Sequence, residues 1–271
     1  MPLTFAGSAA GAWIADARSS AAHPEEHPTA ASQLPGAFEA YARLFHPAVD
    51  FDGRPVRWAA IAAARSARLH PAAQFANLAA IDESGFALAE DAWEGDPPRT
   101  DGLPLGDLAG LADVIAAQTR AQRVYLALWT GYAFAAGEND GAKVALTRAE
   151  REDVLTLGDG GYQDYWVFSG TLADVRNPVW AESERSSERR APDMAWPEDR
   201  SWFISTELYE DSTVIGGSAG LIAAVVAAAT GDDARFEALA VDPATRLDEH
   251  GDTLNALPEL PLVAEGEGLE D

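Results

Sequence analysis

Residues 201–226 read SWFISTELYEDSTVIGGSAGLIAAVV, and this stretch carries the clearest structural pattern in a chain of 271 residues. Trp202 and Ile204 belong to a first predicted strand, which is followed by the acidic turn at residues 210–211. The apolar and β-branched residues 213–215 predict a second strand that returns beside the first. The stretch therefore predicts a pair of neighbouring antiparallel strands.

The two glycines after the second strand predict a passage from sheet into helix. Gly216 and Gly217 are expected to let the backbone leave the sheet, and Ser218 stands at the N-cap position of the helix that follows. Apolar residues at helical spacing predict that helix over 218–230. With a further strand predicted at residues 236–241, the block forms a strand, strand, helix and strand unit.

The flanking sequence extends this unit in both directions. Apolar runs bounded by proline or glycine predict strands, and apolar residues at intervals of three and four predict helices. The additional strands are predicted at residues 38–45, 124–129 and 162–168, the helices at 57–69 and 107–119, and the loops at 90–104 and 177–192. In the second of these helices, Asp107 is expected to cap the first turn.

This order of elements predicts one α+β domain with a mixed or mainly antiparallel sheet covered by helices. The domain is expected to span residues 34–242. Residues 1–33, rich in alanine, serine and glycine, predict a partly flexible N-terminal arm. Residues 243–271 predict a flexible acidic tail, because eight acidic residues and no basic residue follow Arg246.

Composition excludes several classes of function. The chain has 44 acidic and 19 basic residues, and its net charge of −25 disfavours nucleic acid and anionic membranes as partners. Because cysteine is absent, no disulfide, thiolate nucleophile or cysteine-ligated metal can form. The uncharged run 212–231 is broken by glycines and predicts a strand and helix rather than a membrane span. Residues 1–8 lack the basic start of a secretory signal, so a cytoplasmic location is expected.

The sharpest chemical motif is the G-x-S-x-G pattern at residues 216–220, which is typical of the nucleophile turn of α/β-hydrolases. A serine hydrolase that uses Ser218 with His250 as its base is therefore one alternative. Only 32 positions separate the two residues, which leaves little room for the intervening strands and helices. The other interpretation is that Ser218 only caps the helix. We expect no catalytic residue under that interpretation.

A second use of the same turn is binding of an anion or a partner. Free N–H groups at Gly217, Ser218 and Ala219 would point outward at the positive end of the helix dipole. Trp196 and Arg200 lie in the preceding segment and could extend this surface as contacts for a protein partner. The sequence thus favours a non-enzymatic binding or protein-interaction role, with a contact set of Trp196, Arg200, Gly217 and Ser218.

The sequence positions of the histidine and acidic residues give little support for a metal or cofactor site. His23 and His27 are four residues apart, as zinc ligands on a helix would be, but the proline after each disfavours a regular helix there. We therefore expect neither a metal nor a cofactor. His46 and His70 each precede a proline after an apolar segment. A metal or acid–base site would be supported only if folding brought both together with Asp50 or Asp52. Glu207, Glu210 and Asp211 surround a predicted turn and are interpreted as a solvated acidic face.

Several short blocks are similar to a known set of proteins. They include FEAYAR at residues 38–43 with the His46-Pro47 pair shortly after it, LWTGY at residues 128–132, and PDMAWPEDRSW at residues 192–202. These blocks resemble an uncharacterised family of actinobacterial proteins over residues 34–242. The resemblance implies a single domain and a bacterial cytoplasmic setting, and it implies no activity, cofactor or catalytic set.

Overall fold

The computed structural model describes residues 3–20, 28–82, 84–136, 144–158, 163–183, 187–231 and 233–257. The strands are β1 (Thr4–Phe5), β2 (Ala40–Phe45), β3 (Ala48–Val49), β4 (Pro55–Val56), β5 (Val124–Trp129), β6 (Leu155–Leu157), β7 (Gln163–Gly170), β8 (Ala181–Glu182), β9 (Ser187–Glu188), β10 (Met194–Pro197), β11 (Phe203–Ser205), β12 (Ser212–Gly217) and β13 (Glu237–Val241). The helices are α1 (Ala12–Ser20), α2 (Trp58–Ala64), α3 (Phe75–Ala79), α4 (Leu105–Gln118), α5 (Ala133–Ala136), α6 (Arg148–Glu152), α7 (Leu172–Arg176) and α8 (Ala219–Ala228), with a 3-10 turn at Ser8–Ala10.

Nine of these strands form one antiparallel sheet. Its order is β1-β7-β5-β10-β11-β12-β2-β13, and β6 also pairs with β7. The predicted neighbours β5 and β7 pair directly, as do β11 and β12. β13, in contrast, pairs with β2 and not with β12, although α8 alone separates it from β12 in the chain. The predicted α+β fold with a mainly antiparallel sheet is confirmed.

Side chains on the two faces of the sheet form two separate apolar clusters, because successive residues of a strand point to opposite sides. Leu44 and Ile215 lie on the face covered by α4 and α8. Tyr41 and Phe203 lie on the other face, where Ile14 of α1 joins them. The sheet is therefore buried on both sides.

A third apolar cluster lies at the end of β2. Phe45 and Phe75 pack against the ring of Trp58 at the start of α2. The carboxylate of Glu237 on β13 accepts hydrogen bonds from the N–H groups of Trp58 (2.7 Å) and Ala59 (3.0 Å), and it thereby satisfies the first turn of α2. This bond joins α2 to the sheet edge.

Two helix boundaries differ from the predicted ones. α2 ends at Ala64 rather than at residue 69, because Ser66 adopts a left-handed conformation with φ of 57°. α4 begins at Leu105, and Asp107 does not cap it. Instead, Asp107 forms an ion pair with Arg57, with 2.5 Å between Oδ2 and Nη1. Tertiary pairing has replaced the local capping bond.

Parts of both terminal segments pack on the domain. Residues 4–5 pair with β7, and the side chain of Ile14 is buried. Leu247 is buried as well, so the described part of the predicted flexible tail, residues 243–257, is held in place. The predicted boundaries after residues 33 and 242 stay predictions, and residues 21–27 and 258–271 lie outside the described part of the chain.

The longest helix among the described residues, α4, has 14 residues. Within the described ranges, no helix combines the length and the apolar character that crossing a membrane requires.

Candidate functional site

Ser218 is the N-cap of α8, as its position in the sequence predicts. Its Oγ accepts a hydrogen bond from the N–H of Leu221 at 3.2 Å, with the cap residue in an extended conformation. The neighbouring N–H of Ala219 donates to Glu39 Oε2 at 3.0 Å. A carboxylate of the chain therefore already occupies the helix terminus. This arrangement contradicts the expectation of an open anion site at residues 217–219.

The two glycines before Ser218 serve packing rather than a change of backbone direction. Gly216 and Gly217 are both part of β12, and neither has a positive φ. A Cβ at Gly216 would lie 2.6 Å from the ring of Phe38 and 2.7 Å from Leu34. The expectation that the pair frees the backbone is wrong, since it is the close approach of side chains that requires a residue without a Cβ.

The described structure does not join Ser218 to His250. Ser218 Oγ is engaged in the cap, whereas His250 is exposed, with its Nε2 3.5 Å from Glu249 Oε1. No hydrogen bond links the serine to a histidine within the described ranges. The hydrolase alternative consequently stays a prediction without geometric support.

Trp196 is buried in the apolar cluster on one face of the sheet and does not lie on the protein surface. Only 1% of its area is exposed, and its ring stacks on Phe203 at 5.6 Å and on Tyr125 at 5.7 Å. Arg200 is exposed, with its guanidinium carbon 4.5 Å from the ring centre of Trp13. Gly217 is buried too. Of the predicted contact set, only Arg200 and Ser218 reach solvent.

His46 and His70 do not share a site. His46 is fully buried, and its Nδ1 and Nε2 lie 2.8 Å from the carbonyl oxygen of Arg99 and from Thr213 Oγ1 respectively. His70 Nε2 lies 2.7 Å from Oδ1 of Asp252, which ties the C-terminal segment to the domain. Each histidine thus has a partner of its own and a structural role.

A chain of buried hydroxyl groups continues from His46. Thr213 Oγ1 lies 2.7 Å from Thr206 Oγ1, and the N–H of Thr206 donates to the carbonyl oxygen of Asp193 at 2.8 Å. Because the carbonyl of Arg99 can only accept, Nδ1 of His46 carries the proton and Nε2 accepts from Thr213. Burial lowers the pKa of His46 to about 4, so the ring is neutral at pH 7.

The Asp193 carboxylate lies on the same side of the sheet. It accepts hydrogen bonds from the Tyr132 hydroxyl at 2.5 Å and from the backbone N–H of Trp129 at 2.7 Å. Burial raises the pKa of Asp193 to about 6 and raises that of Tyr132 above its usual range. The guanidinium carbon of Arg190 lies 3.2 Å from the centre of the Tyr132 ring. Asp193 is almost fully covered, whereas Tyr132 and Arg190 are half-buried, so the carboxylate itself has a structural role.

Arg43 is a fully buried cation on the opposite face of the sheet. Its Nε donates to Ser212 Oγ at 2.8 Å and its Nη1 to the carbonyl oxygen of Ala73 at 2.8 Å. Its Nη2 lies 3.6 Å from Asp211 Oδ1. These contacts connect β2 and β12 to the segment before α3, so Arg43 holds the sheet and the third cluster together.

The acidic turn between β11 and β12 is only partly the solvated face that the sequence predicts. Glu207 pairs with Arg18 of α1, and Asp211 faces Arg43. Burial, followed by the nearby Asp211 charge, raises the pKa of Glu210 to about 7. In the part of the chain that the structure describes, no group of three or more histidine or acidic side chains is placed to hold a metal ion.

A cavity of about 350 Å³ lies beside α2 and is here named the α2 cavity. Its apolar lining comes from Phe51, Val56, Ile61, Ala64 and Trp93. Such a volume is within the range of ordinary ligand pockets. The α2 cavity therefore has the size and the lining to hold an apolar group.

Hydrogen bonds hold the loop wall of the α2 cavity in position. Val49 and Asp96 exchange backbone hydrogen bonds of 3.0 and 2.8 Å, and the backbone N–H of Trp93 donates to the Ala79 carbonyl oxygen at 2.8 Å. Gly95 permits this approach, because a Cβ there would lie 2.3 Å from the carbonyl oxygen of Val49. The cavity is thus formed before any ligand enters.

Arg65 joins the helix wall to the loop wall. Its Nε donates to the carbonyl oxygen of Asp91 at 3.0 Å, and its Nη1 donates to that of Leu78 at 2.6 Å. Its Nη2 also pairs with the Asp91 carboxylate at 3.2 Å. Because these donors are used within the chain, binding in the cavity depends on apolar contact and on the charges at its rim.

Sequence reasoning missed this cavity. The helical spacing of Trp58 and Ile61 predicts the apolar face of α2, but Phe51 and Trp93 are isolated aromatic residues in polar loops. Their joint position depends on the pairing of Val49 with Asp96. No local pattern reports a contact between segments so far apart in the chain.

The chain was also compared with known proteins. No family model, no curated protein and no solved structure matches it.

Proposed function

We propose that this protein is a non-enzymatic binding protein of the bacterial cytoplasm, and that an apolar side chain of a protein partner enters the α2 cavity. The observation that carries the proposal is a preformed cavity with an apolar lining and a wall fixed by internal hydrogen bonds. A preformed site binds without the cost of ordering its loops. The bacterial and cytoplasmic setting, like the family resemblance, rests on the sequence alone.

The exposed ring of Phe51 supports an interaction surface at this place. It is 82% exposed and lies at the edge of the α2 cavity. An aromatic ring beside an apolar hollow is a common arrangement at protein interfaces, where a few large side chains provide most of the binding free energy. The previously expected contacts, Trp196 and Gly217, are buried and do not enter the proposal.

Binding of the neutral apolar dye Nile red tests whether the α2 cavity accepts an apolar group. Ala64→Phe fills the cavity from α2, and Ala63→Phe is the matched control. Both alanines are exposed on the same helix, but only Ala64 lines the cavity. In Ala64→Phe, the dye should lose about 60 Å² of apolar contact with the cavity. At roughly 25 cal/mol per Å², this loss weakens dye binding about tenfold.

The expected result is saturable dye binding that Ala64→Phe weakens and Ala63→Phe leaves unchanged. Circular dichroism of both variants checks that the helix content is retained. If both variants bind the dye as the wild type does, or if both lose it equally, the α2 cavity is not the binding site and the proposal fails.

A further inference from the structure

The rim of the α2 cavity carries more negative than positive charge. Asp50, Asp91 and Glu94 are among the residues that line it, and Arg65 is the basic residue beside them. The guanidinium of Arg65 is already paired with Asp91. The charges at the rim are therefore not neutralised by the chain itself, and two carboxylates remain for an outside cation.

Glu94 is the carboxylate best placed for such a cation. It is exposed, and it forms no hydrogen bond or ion pair with any of the residues that the structure describes. The segment around it, residues 90–96, contains four acidic residues and no basic residue. Asp50 differs, because its Oδ1 accepts backbone hydrogen bonds from Asp52 and Arg54 and shapes the turn at residues 50–54.

From this arrangement we propose that the occupant of the α2 cavity is a basic protein segment. One apolar side chain of the segment enters the cavity, and flanking arginine or lysine side chains pair with Glu94 and Asp50. The inference rests on the proposed function and adds the chemistry of the partner. An acidic or neutral ligand would leave the rim carboxylates without a counter-charge.

The charge of the whole chain favours the same class of partner. A net charge of −25 attracts a basic segment from a distance and repels an acidic one. It also repels a second copy of this chain, so self-association through the exposed Phe51 is disfavoured. Salt weakens both effects, because exposed charges are screened over about 10 Å at 0.1 M.

Three synthetic pentapeptides with blocked ends separate charge from apolar contact. They have the sequences RLFLR, QLFLQ and ELFLE, which share one apolar centre and differ only in their flanks. Each exposed ion pair strengthens binding about two- to fivefold, so RLFLR should bind about tenfold more tightly than QLFLQ at low salt. ELFLE should bind more weakly than both, as measured by isothermal titration calorimetry.

Glu94→Gln removes one of the negative charges at the rim without changing the size of the side chain, and Glu90→Gln is the matched control. Glu90 is also exposed but does not line the cavity. Glu94→Gln is expected to weaken RLFLR about threefold and to leave QLFLQ unchanged, whereas Glu90→Gln changes either affinity by less than about 1.5-fold.

The outcomes separate the two proposals. If RLFLR and QLFLQ bind equally, and Ala64→Phe blocks both, the cavity is a binding site but its preference for a basic segment is refuted. Equal weakening by Glu94→Gln and Glu90→Gln would show diffuse attraction and would also overturn the inference. A dimer in sedimentation velocity that Ala64→Phe dissociates would identify a second copy as the occupant instead. If neither Nile red nor a peptide binds, the proposed function fails as well.

Discussion

Protonation of His46 is expected to remove about 3 kcal/mol of folding free energy as the pH falls from 6.5 to 4. Lowering the pH protonates the buried imidazole ring, which lies between the carbonyl oxygen of Arg99 and the hydroxyl of Thr213. A second proton on Nε2 would place a positive charge where the ring has no solvent and where Arg43 adds a further positive charge. The hydrogen bond to the Arg99 carbonyl and, to a smaller extent, the acidic neighbour Asp101 offset only part of this effect.

The magnitude follows from the pKa of His46, which burial lowers from 6.5 to about 4 in the folded state. Between these values the unfolded chain binds more protons than the folded chain, so stability rises with pH. Each pKa unit corresponds to about 1.36 kcal/mol, and the shift therefore corresponds to about 3 kcal/mol. This stability is fully present above about pH 6.5 and is lost by about pH 4.

Other buried groups act with the opposite sign, so the wild-type curve alone does not isolate His46. Burial raises the pKa of Asp193 to about 6, which favours the folded chain at low pH and removes stability as the pH rises from 3.8 to 6. Burial raises the pKa of Glu210 as well and gives the same direction. The informative quantity is the difference between the wild type and His46→Gln.

Urea unfolding followed by tryptophan fluorescence, at pH 7, 5.5 and 4, measures this difference. Gln at position 46 can donate to the Arg99 carbonyl and accept from Thr213, but it does not titrate. The free energy of unfolding of the wild type minus that of the variant should fall by about 3 kcal/mol between pH 7 and 4. A difference that stays constant with pH, or a His46 imidazole that titrates near 6.5 in NMR spectra, would refute this explanation.

Three further predictions concern the G-x-S-x-G segment. Ser218→Ala removes the cap bond to Leu221 and should lower the free energy of unfolding by about 1 kcal/mol in urea titrations. A fluorophosphonate probe should not label Ser218, and labelling that disappears in Ser218→Ala would establish the hydrolase alternative. Gly216→Ala forces a Cβ against Phe38 and Leu34 and should cost about 1–3 kcal/mol in the same titration. Gly220→Ala is the control, because a Cβ there would lie 4.0 Å from Ser218 Oγ, and it should change stability by less than about 1 kcal/mol. Equal effects of the two substitutions would contradict the packing argument.

Local patterns predicted the two longest helices and six of the nine strands of the sheet, but they missed the central strand β10 and most of the shorter helices. Helical spacing of apolar residues located α4 and α8, and a serine before such a run was enough to predict the cap at Ser218. These features depend on contacts within one or two turns of the chain. Boundaries were less predictable, because the left-handed Ser66 and the pairing of Asp107 with Arg57 change the helix ends.

The candidate site was not predictable in the same way. Trp196 and Arg200 stand close together in the sequence, yet the first is buried and the second is exposed. A tryptophan is compatible with either environment, and the outcome depends on stacking against Phe203 and Tyr125. The carboxylate of Glu39, 180 residues away, occupies the helix terminus where the sequence suggested a free anion site.

The amino-acid order thus establishes the α+β composition, the acidic character and the positions of the main helices and strands. It does so because propensity, spacing and charge are properties of short segments. The insertion of β2 between β12 and β13, the burial of His46 and Trp196, and the assembly of the α2 cavity depend on the folded chain as a whole. Backbone hydrogen bonds are alike in every strand, so the choice among possible neighbours depends on how all the side chains pack together.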